Sequence, residues 1–233
     1  IGATKPGYFP GELAITKTEY IRWFFQISEM NANTIRVYTT MTPAFYEALA
    51  EYNERSQKKL YVMHGLWLNE DKIKAIHDPY AEDEHLLQEF ISDGQNLVDI
   101  FHGNKTLDPR PGFASGTYTY DVSKYIIGWV LGVEWDPSFV NNTNQLHPTL
   151  NHFEGQFLYT ENASPFEAFL AKAGDAILSY EAEHYQTTRP LSYTNWLTTD
   201  PLTHPSEPDP KEDMARVDVQ HIKTTKKAFA GQF

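Results

Sequence analysis

The chain has 233 residues, 41% of them hydrophobic and 21% charged, with 31 acidic against 19 basic side chains and a formal net charge of -12. That is globular composition with length enough for a sizeable core, and an acidic surface of this kind repels phosphate backbones, so no nucleic-acid partner is expected. There is no cysteine, which excludes disulfides, thiolate metal sites and a cysteine nucleophile.

The apolar runs are far shorter than the ~20 residues that span a bilayer, so no membrane segment is expected, and no signal peptide is visible. Asn-x-Ser/Thr sequons begin at Asn104, Asn141 and Asn162. Aromatic residues make up 14% and include five Trp and fourteen Tyr. Such rings fill cores, and their faces also stack on the apolar faces of pyranose rings.

Strand and helix patterns alternate along the chain. A helix starts at Thr16, with Glu19 at capping-box spacing, and Tyr20, Phe24, Ile27 and Met30 recur at helical period. Residues 34–39, "TIRVYT", read as a strand. Thr42-Pro43 reads as an N-cap followed by proline at the first helical position, and Phe45, Leu49 and Tyr52 form that helix's apolar stripe. Residues 59–66, "KLYVMHGL", are the next strand. A helix follows over about 81–102, with Leu87, Ile91, Val98 and Phe101 on one face and Gly103 as its stop.

Residues 104–120 read as a loop and 125–133 as a buried strand. Residues 136–163 read as a long irregular stretch. Ser164-Pro165-Phe166-Glu167 combines an N-cap, a first-turn proline and a capping-box Glu, so a helix is expected there, buried through Phe169, Ala173, Ile177 and Tyr180. "RPLSYTNW", 189–196, is another strand. A Pro-rich loop covers 200–210, and a further strand is expected to begin within 227–233. Repeated strand-helix units imply a parallel sheet, either an open doubly wound sheet or a (β/α)8 barrel. The dinucleotide and phosphate loops, GxGxxG and Walker, are missing from the sequence, which argues against a nucleotide-binding sheet.

In a parallel barrel the catalytic groups stand where strands end. Read in order, those ends give Arg36 and Tyr38, then His64 and Trp67, then Glu134, Trp135 and Asp136, and finally Tyr193, Asn195 and Trp196. This set of carboxylate, Arg, His, Asn and Trp suits a hydroxyl-rich ligand. "IIGWVLGVEWDPSFV", 126–140, runs an apolar strand straight into Glu134. A carboxyl flanked by Trp135 at the rim of such a strand is expected to be partly desolvated, and so able to hold and donate a proton; the alternative is a solvated Glu that merely ends the strand. His64 fits either a core role or a ligand role. HExxH and HxH are both missing from the sequence, so neither a metal site nor any cofactor is expected. Without a GxSxG elbow a serine-hydrolase triad lacks support. "AEDEH", 81–85, is acidic where a helix dipole favours it.

The stretch "NANTIRVYTTMTPAFYEALAEYNERSQKKLYVMHGLW", 31–67, resembles the second and third strand-helix units of clan A glycoside hydrolases, and "IIGWVLGVEW", 126–135, resembles their fourth strand. The resemblance covers roughly residues 16 to 200. It implies a (β/α)8 barrel and a retaining mechanism acting on a β-linked oligo- or polysaccharide. It makes Glu134 the acid/base and Arg36 the second-strand arginine that supports the carboxylates. Trp67, Trp135 and Trp196 would line sugar subsites, and Tyr193 and Asn195 would contact hydroxyls.

Val133 departs from the family, which usually has asparagine there to bind the sugar 2-hydroxyl. The family's nucleophile, a Glu ending the seventh strand, has no counterpart. Strands two to five are clear, a stub of the first lies near Ile1 to Thr4, and the chain reads as the larger N-terminal part of one barrel domain, with the nucleophile expected beyond Phe233. Asp136, Asp200 and Glu207 are the other carboxylates near strand ends, and all read as turn formers. The expectation is therefore a secreted or cell-surface glycosidase, with a non-catalytic glycan-binding or scaffold barrel as the alternative. Open barrel edges would favour self-association.

Overall fold

The computed structural model describes residues 4–9, 12–206 and 213–225. The chain divides into two compact units, one of Ile1–Leu66 with Asn96–Gly128 and one of Trp67–Gln95 with Trp129–Phe233.

In the first unit, α1 (Lys17–Glu29) begins with a full capping box. The Thr16 hydroxyl accepts from the Glu19 N–H, and the Glu19 carboxylate accepts from the Thr16 N–H at 2.9 Å. α2 (Pro43–Arg55) starts with Pro43, whose missing N–H is one that a helix N-terminus leaves unpaired anyway. The two helices meet through Tyr20 and Phe24 against Phe45 and Tyr52. The Tyr20–Phe45, Phe24–Phe45 and Phe24–Tyr52 rings lie edge-to-face at 5.3, 5.7 and 5.9 Å, geometry worth about 0.5–1.5 kcal/mol per pair beyond area burial. Lys17 bridges Glu47 and Glu51 at 2.9 and 3.1 Å above this seam. β1 (Thr34–Val37) and β2 (Tyr61–Leu66) pair in parallel, Val37 opposite His64, with α2 as their crossover. β3 (Lys105–Leu107) and β4 (Gly116–Tyr118) form an antiparallel pair.

β5 (Ile126–Leu131) leaves the first unit at Gly128 and enters the second. There it pairs in parallel with β7 (Leu191–Tyr193), Leu131 opposite Tyr193. The strand order is β1-β2-β5-β7, the order of the chain itself. The second unit also holds α3 (Glu70–Ile76), the first part of α4 (Ala81–Phe101), α5 (Pro137–Leu146), and β6 (Leu158–Thr160) antiparallel to β8 (Ile222–Thr224).

α6 (Pro165–Tyr185) is the central helix of this unit. Its capping box is complete, and the Glu167 carboxylate that closes it also accepts from the Asp218 N–H at 2.7 Å and pairs with His221 Nδ1 at 2.8 Å. Two turns further on, Asp175 accepts from the backbone N–H groups of Phe157 at 2.6 Å and Leu158 at 2.8 Å, which pins β6 to the helix. Near its end the buried Glu181 carboxylate pairs with Arg189 Nε at 3.1 Å, fixing the entry into β7.

Four parallel strands and six helices make this an α/β fold; a closed eight-stranded barrel is not formed among the described residues. The expected first-strand stub falls largely in, and the expected last strand wholly within, stretches outside those residues. Three expectations are corrected. The loop over 104–120 contains the β3–β4 pair, too short for its pattern to stand out from a turn. The irregular stretch over 136–163 contains α5 and β6, and α5 opens on Asp136-Pro137, the same cap-and-proline signature as Thr42-Pro43. Met30 is exposed, because α1 ends before it.

Two predictions follow from these anchors. Asp175→Asn keeps the shape but turns a charged acceptor into a neutral group that meets N–H donors with its own NH2. The loss should be about 2–4 kcal/mol, read as a lower urea midpoint; an unchanged midpoint contradicts it. Glu19 is held by Lys5, and by Thr16, well below its ordinary 4.5, at about 2. Its contribution is therefore fully present above about pH 4.5 and lost as pH falls through about 2. Urea midpoints of wild type and Glu19→Gln should differ at neutral pH and converge over that acid window; a constant gap contradicts the assignment.

Candidate functional site

The site is built by the turn that follows β5. After Leu131 comes Gly132 with φ of +105°, a conformation that L side chains rarely adopt. Val133 and Trp135 then face inward, 1% and 0% exposed, and Glu134 between them faces out. A Cβ at Gly132 would stand 2.2 Å from Trp135 Cζ2, so the indole lies directly on the main chain. Phe139 stacks on it at 6.4 Å and Phe166 meets it edge-on at 5.1 Å. Asp136 then caps α5, its Oδ1 accepting from the Ser138 N–H at 2.8 Å.

Around this turn the second unit forms a cleft of about 210 Å³, lined by Glu70, Ile73 and Lys74 of α3, by Glu134 to Pro137, and by Trp196 and Thr198 after β7. α3 is placed by Asn69, whose side chain accepts from the Lys72 N–H. Lys74 Nζ lies 3.7 Å from the Glu70 carboxylate one turn back. Glu134 is exposed and makes no hydrogen bond or ion pair among the described residues. Two polar atoms in the wall, Trp135 Nε1 and Thr198 Oγ1, are closed off from solvent and lack a hydrogen-bond partner among the described residues. An unsatisfied buried group of this kind costs about 1–3 kcal/mol.

The residues named from the sequence separate into two groups. Glu134, Trp135 and Trp196 share the cleft. Trp67 and Asn195 belong to the same unit but not to this lining; Trp67 is half-buried and Asn195 exposed. Tyr193 is a core residue. Its hydroxyl donates to the Leu170 carbonyl at 3.0 Å, burial pushes the phenol far above its ordinary range, and Gly174 leaves the room it occupies.

Arg36, Tyr38 and His64 lie in the first unit. Arg36 and Tyr38 are exposed on β1 and just after it, the guanidinium 4.8 Å from the Tyr38 ring centroid. His64 is fully buried. Its Nδ1 lies 2.8 Å from the Gly65 carbonyl, which only accepts, so Nδ1 carries the proton. Nε2 then accepts from the Tyr46 hydroxyl at 2.9 Å, and that hydroxyl accepts from the Met41 N–H at 3.2 Å. Both ring nitrogens are used internally, so His64 is a packing residue, the first of the two roles the sequence left open.

The expected desolvation of Glu134 is corrected too. Its neighbour Trp135 turns into the core instead of covering it, so the carboxylate stands in solvent. Of the other carboxylates, Asp136 is a helix cap, and Asp200 accepts from the Leu202 N–H at 2.8 Å as a turn former. Glu207 lies outside the described residues. Glu70, Ile73, Lys74 and Thr198 carry no strand-end position, and the sequence reading passed them by. The Asn-Glu-Asp start of α3, a cap followed by first-turn acids, was the available sign of that helix.

No group of three or more His, Asp or Glu able to hold a metal ion occurs among the described residues. No helix among them is long and apolar enough to cross a membrane. No protein-family model, curated protein or solved structure matches the chain.

Gly132→Ala tests the turn. It adds a left-side backbone penalty and a clash with the indole, and should cost about 2–4 kcal/mol in urea unfolding. Gly112→Ala, also at positive φ but with open space around it, should cost about 1 kcal/mol. Equal losses at the two positions contradict the account of the turn.

Proposed function

We propose that the chain is a saccharide-acting protein of glycoside hydrolase type, with Glu134 as the acid/base of a retaining mechanism on a β-linked sugar. The carrying observation is the cleft itself: a carboxylate just past the end of a parallel strand, unpaired among the described residues, shares a one-ring space with Trp196. Glu134 would protonate the glycosidic oxygen and later activate water. Trp196 would stack on a pyranose face. The strand order supports a barrel-type winding, because four parallel strands follow chain order where a doubly wound sheet reverses. Glu134 and Trp196 both follow carboxyl ends of strands, where barrel enzymes keep their chemistry. Sugar polymers are met outside the cell, which is where we place the protein. β1 and β7 end the strand order, and we assign self-association to those edges.

A second reading, a glycan-binding barrel without turnover, is favoured by one observation. A retaining mechanism needs a second carboxylate about 5–5.5 Å from the first, and of the two other carboxylates in the cleft Asp136 is committed to capping α5 and Glu70 lies 3.7 Å from Lys74 Nζ. The test is hydrolysis of a panel of aryl β-glycosides by wild type and Glu134→Gln. The enzyme reading predicts a loss of about 10²–10⁴-fold in kcat/KM, smallest for the best leaving groups. Sugar binding without turnover in either protein would leave the second reading, and neither binding nor turnover would contradict both.

A further inference from the structure

We infer that the cleft seats one sugar ring only, the unit at the non-reducing end of a β-linked glycan, so that the protein recognises chain ends and not internal units; this rests on the saccharide reading above and narrows its substrate class. The space is about 210 Å³, below the ~300 Å³ at which pockets for drug-sized ligands begin. A groove that passes a polymer runs between two walls and stays open at both ends. This cleft is instead lined by three separate segments: α3 with Glu70, Ile73 and Lys74, the turn after β5 from Glu134 to Pro137, and the stretch after β7 with Trp196 and Thr198. One ring occupies such a space, and a second has to leave it on the side where the first is bonded.

All three segments are anchored. Ile73 is buried, the Asn69 side chain accepts from the Lys72 N–H at 3.2 Å, and Lys72 Nζ pairs with Glu89 of α4 at 2.5 Å. In the turn, Trp135 packs on Phe139 and Phe166, and Pro137 is already the first residue of α5. After β7, the Thr199 N–H donates to the Trp196 carbonyl at 3.0 Å, and the Thr199 carbonyl accepts from the Val217 N–H at 2.8 Å. Walls held in this way do not part for a longer chain. The acid/base decides which ring is enclosed. Glu134 belongs to the same lining, and its proton goes to the oxygen on the anomeric carbon of the glycone, the ring on which the transition-state charge develops. Contacts to that ring are the ones that strengthen in the transition state and so raise the rate. The one enclosed ring is therefore the glycone. Without space for another ring beyond it, the glycone has to be the non-reducing terminus. Its outer hydroxyls then meet Glu70 and Lys74, an acceptor and a donor 3.7 Å apart on one face of α3.

The experiment is calorimetric titration of the 233-residue chain with β-1,4- and β-1,3-linked oligosaccharides of two to five glucose units. Each series includes a trimer methylated, at its non-reducing end, on the hydroxyl through which the next unit would be joined. Affinity should change by less than about threefold from dimer to pentamer, where an extended groove gains about three- to tenfold for each ring it stacks. The methylated trimer should bind about tenfold or more weakly than its parent, because the added group has to enter a closed space. Lys74→Ala, an exposed substitution that lowers one wall, should cut that loss to about threefold or less. Affinity that climbs with each added unit, or that ignores the methyl group, overturns the inference and leaves the saccharide reading standing. A methyl penalty unchanged in Lys74→Ala places the chain end outside this cleft and overturns the inference as well. Binding of no member of either series overturns both.

Discussion

The contact between the Trp135 indole and the bare backbone of Gly132 fixes the geometry of the candidate site. A parallel strand that ends on a carboxylate must turn without burying the charge. Gly132 supplies a backbone conformation closed to most residues and a surface with no side chain, and the largest side chain of the turn lies on it. Trp135 thereby joins Phe139 and Phe166 in the core. Val133 and Trp135 face inward, and Glu134 between them faces out. Asp136 falls at the N-cap of α5, and the cleft takes its floor from the same few residues.

The remainder of the second unit holds that turn in place with buried anions paired to backbone and cations. Glu167 and Asp175 on α6 gather N–H groups from the segments before β6 and before β8, and Glu181 on the same helix takes Arg189 ahead of β7. Charge-assisted bonds of this sort are about twice as strong as neutral ones. They are directional, so they set the placement of short strands that have little apolar area of their own. The first unit works differently: its helices meet through interlocked aromatic rings, and its one fully buried histidine is a link in a hydroxyl chain.

Much of the architecture was legible because it was written in local chemistry. Thr16-Glu19 and Ser164-Glu167 are capping boxes in the sequence and in the fold, and Thr42-Pro43 starts α2 where the pattern placed it. The same signature at Asp136-Pro137 was outweighed by the Asn-rich composition around it, so α5 was read as irregular. Short strands such as β3, β4 and β6 span too few residues for a period to show. For the site, position along a strand was legible and direction was not. Glu134 and Trp196 were found as strand-end residues, but whether a strand-end side chain points in or out depends on packing from distant sequence. Leu170 and Gly174 draw Tyr193 inward, and Tyr46 draws His64. Lys74 and Thr198 had no signature, since they enter the cleft only because α3 and the segment after β7 come beside the turn.

The most direct test of the central claim is an NMR titration with a β-linked disaccharide, following the indole N–H signals of the five Trp and the side-chain carboxyl carbons of labelled Glu. The account predicts saturable shifts at Trp196, Glu134 and Glu70, with the signals of Glu19 and Glu167 unmoved. Shifts confined to residues outside the cleft, or saturation in which Glu134 stays still, would contradict it.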